Sequence, residues 1–193
     1  MVKDFSRSFL LVILLAALPA AGWAQDAKAL LGKASLAMRI VSVRTLEYSG
    51  SGSKWDAKGQ HSSLDSYRKE LVLHPLPTGA PWSEQLEFWL TPYGFLNGAQ
   101  ANNATVEAKS AYGESYQVVT VSLPGNHRVV GYINDQNMVE RVQTTTDDGT
   151  AIEGVYRDYA DFRGLKVPTI LIRNLGGTLV QVAIVRDAKV TGI

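Results

Sequence analysis

The chain of 193 residues contains no cysteine, which excludes disulfides, thiolate metal sites and a lipid-modified cysteine together. Its three histidines, His61, His74 and His127, show neither a His-x-His nor a His-x-x-x-His spacing. A zinc or iron site needs several ligands converging on one point, so no metal or other cofactor is expected. The nearest local pair, His61 with Asp65, reads as solvated loop residues. An excess of one charge is also lacking: the formal net charge is +1, and without Lys3, Arg7 and Asp4 the chain holds 17 basic and 17 acidic residues. Such balance leaves no electrostatic footprint for nucleic acid. There is no Gly-x-Ser-x-Gly elbow; Gly50-Ser51-Gly52-Ser53 misses that spacing and reads as a strand end or bulge. Asp147-Asp148-Gly149 lacks the alternating oxygen ligands of a calcium loop and reads as a hairpin turn. No spacing selects a pair of carboxylates for acid–base chemistry, and a catalytic role is not expected.

The most specific signal present is N-terminal. Lys3 and Arg7 precede an apolar run from Phe9 to Leu18, and Pro19 leads into small residues ending at Ala24. This is the pattern of a secretory signal peptide, residues 1–24, and the run falls short of the roughly 20 residues that a membrane-spanning helix needs. The expectation is a periplasmic or secreted protein, not membrane-spanning after cleavage, with residues 25–193 forming one domain. At 46% apolar residues the chain supplies a core without disulfides.

Asp26 is placed to cap an amphipathic helix with Ala27, Leu31, Ala34, Met38 and Val41 on one face. Alternation predicts strands over 44–53 and 64–74, with a polar loop over 55–63 between them. The prolines of the 74–81 segment mark a connector. Alternation of Leu86, Phe88 and Leu90 predicts a third strand over 85–90, and Thr91-Pro92 predicts a capped short helix from Pro92 to about Ala101. From Ala104 onward the pattern is strands alone, with turns at 112–114, 124–126, 134–137, 147–149, 161–164 and 174–177. Pro168 marks an edge or an irregular point. The strands near Ile170 and Val182 are apolar on both faces and should be covered, at least partly, on both.

Apolar and aromatic side chains gather on single faces: Leu46, Tyr48, Leu71, Leu73, Leu86, Phe88 and Leu90 on the early segments, and Tyr93, Phe95 and Leu96 on the short helix. They are either filled core or the walls of a groove for an acyl chain, since acyl recognition is apolar area with few polar anchors. These are the candidate ligand-binding residues.

Two resemblances follow. The leader, the amphipathic helix, the antiparallel strands and the segment Tyr156-x-Asp158-Tyr159-x-x-Phe162-x-Gly164-x-Lys166-x-Pro168-Thr169 resemble the LolA/LolB-like periplasmic lipoprotein carriers. That resemblance implies an α+β fold: a curved antiparallel β-sheet, an incomplete barrel, with an N-terminal helix and a second short helix on its concave face. It also implies a non-catalytic binding module sheltering a lipid or other amphiphile in an apolar groove. In residues, Leu46-Glu47-Tyr48-Ser49-Gly50-Ser51-Gly52, Trp89-Leu90-Thr91-Pro92-Tyr93-Gly94-Phe95-Leu96, Ala101-Asn102-Asn103-Ala104-Thr105-Val106 and 131–142 resemble the region preceding the catalytic domain of exported metallo-β-lactamase-fold hydrolases. The His-x-His-x-Asp-His ligand run of that catalytic domain is missing, so no metal ligand carries over. This second resemblance implies an accessory domain with a hydrolase domain as partner and no ligand of its own.

Overall fold

A computed structural model describes residues 20–40, 43–73 and 79–191. Residues 1–19 of the expected leader, Val41 and His74 with most of the proline connector lie outside the described residues. The elements are α1 (Ala20–Met38), β1 (Thr45–Trp55), β2 (His61–Val72), α2 (Trp82–Trp89), α3 (Pro92–Ala101), β3 (Ala104–Ala111), β4 (Glu114–Ser122), β5 (Arg128–Ile133), β6 (Val139–Thr145), β7 (Ala151–Phe162), β8 (Leu165–Leu175) and β9 (Thr178–Thr191). The strands form one antiparallel sheet in the order β2-β1-β9-β8-β7-β6-β5-β4-β3, open between β2 and β3.

The helices force this sheet to curve. Laid flat, nine strands would span about 38 Å at ~4.8 Å per gap, whereas the ten residues of α3 extend only about 15 Å. Yet α3 reaches widely separated strands: Asn97 Nδ2 donates to the Leu73 carbonyl just past β2 (3.0 Å), Tyr93 Oη donates to the Lys166 carbonyl in β8 (2.8 Å), and the Phe95 ring lies against Gly131 in β5. Gly131 is obligatory there, because a Cβ would fall 2.2 Å from that ring. Beside α3, α1 packs against the opposite edge at β3. The sheet therefore wraps its concave face around the helices, the α+β architecture expected.

Local chemistry accounts for the element ends. In α1 the buried residues Ala27, Leu31, Ala34 and Met38 keep helical spacing, while Leu36 on the other side is exposed. The helix stops in a Schellman motif, with Arg39 at φ 57°, Ile40 N donating to the Ser35 carbonyl (3.1 Å) and Arg39 N to the Leu36 carbonyl (3.2 Å). Thr91 caps α3 by accepting from Gly94 N at 2.9 Å, with Pro92 in the first turn, as its sequence predicts. At the β5–β6 turn the Asn134 side chain accepts from Gln136 N (3.0 Å) and Met138 N (2.9 Å), and Asn137 takes a φ of 60°.

Four expectations need correction. Residues 85–90 are helical: Trp82, Leu86 and Trp89 recur at i, i+4 and i+7, a helical stripe that the shorter alternation of Leu86, Phe88 and Leu90 concealed. Asp26 lies inside α1, because Ala20–Ala24 are compatible with helix and carry it past the expected cleavage point. The 55–63 loop shrinks to a turn at 56–60 in which Asp56 Oδ1 accepts from Lys58 N and Gln60 N, both at 2.8 Å, and β1 and β2 pair up to Trp55 and His61. The outer faces of β8 and β9 are less covered than their composition suggested: Ile170, Ile172 and Val182 are half-buried and Ile184 is 39% exposed, since the core forms on the helix-bearing face.

Other readings hold. Between Gly50 and Gly52 the β1–β2 register shifts, and a Cβ on Gly50 would lie 1.9 Å from the Ile184 carbonyl oxygen, so this is a bulge at a close strand approach. Pro168 pairs with Tyr159 of β7, while the β8–β9 register begins only at Ile170, so the proline needs no donor on that side.

Candidate functional site

Nine of the ten candidate residues, Leu46, Tyr48, Leu71, Leu73, Phe88, Leu90, Tyr93, Phe95 and Leu96, belong to one buried cluster, each at 6% exposure or less. The tenth, Leu86, is half-buried against the same cluster. The topology explains the convergence: β1 and β2 present their inward positions, and α2 and α3 lie across them. In the sequence these residues are spread from 46 to 96, and only the curved sheet makes them neighbours.

The interior is not purely hydrocarbon. Tyr93 donates to the Lys166 carbonyl at 2.8 Å, Tyr159 to the Val139 carbonyl at 2.6 Å, and Tyr156 to the Leu90 carbonyl between α2 and α3. Burial, reinforced by neighbouring tyrosines, raises Tyr48, Tyr93 and Tyr159 well above the usual phenol range. They are neutral hydrogen-bonding groups at ordinary pH. Tyr156 and Tyr159 were marked in the sequence only as part of a family-like segment, and the structure gives both hydroxyls a partner. Its tyrosines pin α2, α3 and β6 to the β7–β8 hairpin. Asp161 Oδ1 accepts from Gly164 N at 2.7 Å to close the hairpin turn, with Gly164 at φ 90°. Arg39, at the end of α1, reaches the same turn through Asp161 Oδ2 at 3.2 Å.

On its solvent side α2 is tied by charge. Glu87 pairs with Lys69 of β2 and with Arg173 of β8 (3.4 Å for the latter). Burial opposes ionisation of Glu87, but Arg173 and Lys69 outweigh it and hold the carboxyl below its usual range. At the helix start, Trp82 Nε1 donates to the Thr145 carbonyl at 2.7 Å and the indole stacks on His127, centroids 4.2 Å apart.

Two concavities open at opposite ends of the strands. One, of about 370 Å³, includes Ser83, Leu86, Thr150 and Leu175 and touches the apolar cluster through Leu86. The other, of about 660 Å³, is polar, with Glu114, Asn134, Glu140, Tyr159 and Lys166 among its walls.

The outer face of the sheet carries a network that the sequence did not reveal. Arg141 pairs with Glu153 at 3.0 Å and lies 3.7 Å above the Tyr112 ring. Gln143 and Asn174 each donate to Glu153 at 2.8 Å. Burial opposes ionisation of Glu153, yet hydrogen bonds from Gln143, Asn174 and Arg141 leave its carboxyl below the usual range. Tyr112 and Tyr116 meet Tyr132 edge to face, and Tyr116 donates to Glu140 at 2.8 Å. Adjacent Glu140 and Arg141 thus reach one aromatic cluster, because the β5–β6 register shifts between Tyr132, paired with Arg141, and Ile133, paired with Val139. The only sequence signal for this network was the tyrosine content of 111–132.

Among the described residues no three His, Asp or Glu side chains gather as a metal site. His61 bonds Ser53 at 3.0 Å, and Asp65 lies four strand positions away, about 13 Å along β2. No described helix is long and apolar enough to cross a membrane.

No protein-family model matches the chain, and no characterised sequence matches it. Solved structures do. A LolA superfamily protein from Nitrosomonas europaea is 13% identical with a TM-score of 0.54, covering 86% of this chain and 94% of that one. A domain described as an outer membrane lipoprotein-sorting protein from Vibrio parahaemolyticus is 6% identical with a TM-score of 0.56, covering 87% and 93%. A DUF1329 family protein from Desulfovibrio piger is 7% identical with a TM-score of 0.51, covering 85% and 92%. At these identities the likeness is one of fold, and the chain has a LolA-like fold.

Proposed function

We propose that this chain is an exported, non-catalytic binding module that shelters a lipid or other amphiphile beneath α2 and α3, in the manner of a lipoprotein carrier. The observation that carries this reading is the convergence of all ten candidate residues, from β1, β2 and the two helices, on one apolar interior of a LolA-like fold. Leu46, Tyr48, Phe88, Leu90, Phe95 and Leu96 line the site. Affinity comes from apolar burial, at about 25 cal/mol per Å². Access requires α2 to swing away from the sheet, which breaks the ion pairs of Glu87 with Lys69 and Arg173, the Trp82 indole hydrogen bond to Thr145 and the Tyr156 hydrogen bond to the Leu90 carbonyl. Residues 1–24 act as a signal peptide that directs the protein to the periplasm or outside.

The test is extraction of purified protein for bound lipid, followed by titration with a fluorescent fatty acid. Bound lipid or saturable fluorescence is expected. Phe88→Asp should abolish uptake while the protein stays folded. Absence of both signals in the unmodified protein would overturn the reading.

The burial of nine of these side chains to 6% exposure or less supports a second reading, an accessory domain whose partner is a metallo-β-lactamase-fold hydrolase domain and which holds no small ligand. It is distinguished by stable association with such a domain in the absence of amphiphile binding.

A further inference from the structure

The ladder between β6 and β7 stops short. It runs from Thr145 paired with Ala151 to Arg141 paired with Val155, yet β7 continues through Tyr156–Phe162, paired with β8 on its other side as far as Leu165. Across the gap, Val139 pairs with Ile133 of β5 instead. Asp158, at φ 54°, interrupts the extended run of β7 here, and its carbonyl accepts from Thr169 Oγ1 on the β8 side at 2.8 Å. The sheet therefore splits. The 660 Å³ concavity is the wedge between its two halves, with the β5–β6 turn on one bank and Tyr156 to Tyr159 on the other. The Tyr159 hydroxyl, donating to the Val139 carbonyl at 2.6 Å, spans it.

Two features of the wedge point to what it holds. Among the described residues no strand pairs with this rim of β7, so its amide and carbonyl groups are a template for an added strand. The walls carry Glu114, Asp135, Glu140 and Asp158 against Arg157 and Lys166. None of the four carboxylates has an ion pair among the described residues, whereas Lys166 already lies 4.0 Å from Asp161. Glu114 and Glu140 converge on the Tyr116 hydroxyl at 3.1 and 2.8 Å, and its single proton serves one of them at a time. The wedge thus offers unpaired backbone and unneutralised negative charge in one place.

We propose that the β6–β7 wedge is a docking site for an extended peptide segment bearing lysine or arginine side chains. The segment adds as a strand to the free rim of β7 and sets its cations against Glu114, Asp135, Glu140 and Asp158. Backbone pairing supplies affinity, and the carboxylates select the sign of the partner's charge. From Tyr156 to Tyr159 the strand advances about 10 Å at ~3.3 Å per residue, room for about four residues of the added strand. A small polyamine would meet the carboxylates and leave the rim to water. This site is separate from the apolar interior and does not depend on the carrier reading.

The experiment titrates the protein with three fluorescein-labelled hexapeptides and follows anisotropy. The first alternates valine and lysine, the second is the same peptide N-methylated at alternate amides, and the third has glutamate in place of lysine. The first should bind saturably, and the other two about tenfold more weakly or worse, since each loses one of the two interactions. The double variant Asp135→Asn with Asp158→Asn alters two exposed side chains and keeps a residue type that tolerates the left-handed backbone at 158. It should lower the affinity about three- to tenfold with an unchanged thermal midpoint. Amide hydrogen exchange over residues 157–161 should slow when the first peptide is bound. No saturable binding, equal binding of the N-methylated peptide, affinity untouched by the double variant, or unchanged exchange at 157–161 each overturns the proposal. So does spermine binding as tightly as the peptide, which would make the wedge a site for small cations. None of these outcomes bears on the carrier reading, which is tested by lipid uptake in the interior.

Discussion

The two faces of the sheet solve opposite problems with the same residue type. On the concave face, Tyr93, Tyr156 and Tyr159 bury their rings and send single hydrogen bonds to backbone carbonyls, so they act as pegs between helices and strands. On the outer face, with no helix above them, Tyr116 and Tyr132 bury against each other beside the exposed Tyr112; Tyr116 donates to Glu114 and Glu140, Tyr132 donates to Gln143, and the Tyr112 ring carries the Arg141 guanidinium on its face. Tyr93 and Tyr156 fix elements 73 and 66 residues apart in sequence. The outer ones tie β4 and the β3–β4 turn across β5 to β6. Stability should therefore depend on volume inside and on charge pairing outside.

The sharpest test of that contrast is Phe95→Ala. Phe95 is fully buried and supports both Gly131 and α3, and its loss should destabilise the protein by about 3–5 kcal/mol in denaturant unfolding. A loss under ~1 kcal/mol would mean that the interior is loosely filled.

Next comes Glu153→Gln, which leaves Arg141 with a weakened partner where the two side chains are only 12% and 17% exposed. We expect a loss of about 2 kcal/mol, below the value for a fully buried pair because some solvent reaches it. An unchanged midpoint would reduce the outer network to decoration.

The same residue predicts a pH dependence. Its folded pKa lies below the unfolded one, so its contribution is present above the ordinary glutamate value and is lost as pH falls through the folded value. The stability gap between the unmodified protein and Glu153→Gln should shrink steadily as pH is lowered below 4.5, the reference value for glutamate. A gap independent of pH would show that the carboxylate charge is irrelevant.

The smallest effect is expected at Ile184, an apolar residue on the outer face that is 39% exposed. Ile184→Ser should change stability by no more than about 0.5 kcal/mol. A larger loss would show that this face is covered in solution.

Much of the fold was legible because its signals are local. The Thr91-Pro92 cap, the Asn134 turn and the Asp148-Gly149 turn each act through bonds to residues within a few positions. Strand boundaries after Ala104 followed from those punctuation marks. Where two periods competed, the reading failed: residues 85–90 satisfy both an alternating and a helical pattern, and Trp82, before the window, decides for the helix. Of the site, the apolar membership was readable and the polar detail was not. Nothing near Tyr156 says that its hydroxyl meets Leu90, 66 residues earlier. Likewise Arg141 finds Glu153 only through the β6–β7 register.

By itself the sequence determined the α+β class, the antiparallel strand succession, the lack of disulfides and the apolar residues destined for the interior, because propensity, turn chemistry and hydrophobic period act over short stretches. Only the tertiary structure decided that α2 is a helix, that the open sheet curls around α3, and that Tyr93 and Tyr156 send their hydroxyls to backbone carbonyls far away in the chain. Those outcomes depend on contacts between residues distant in the chain, whose energies appear only once the sheet has closed over the helices.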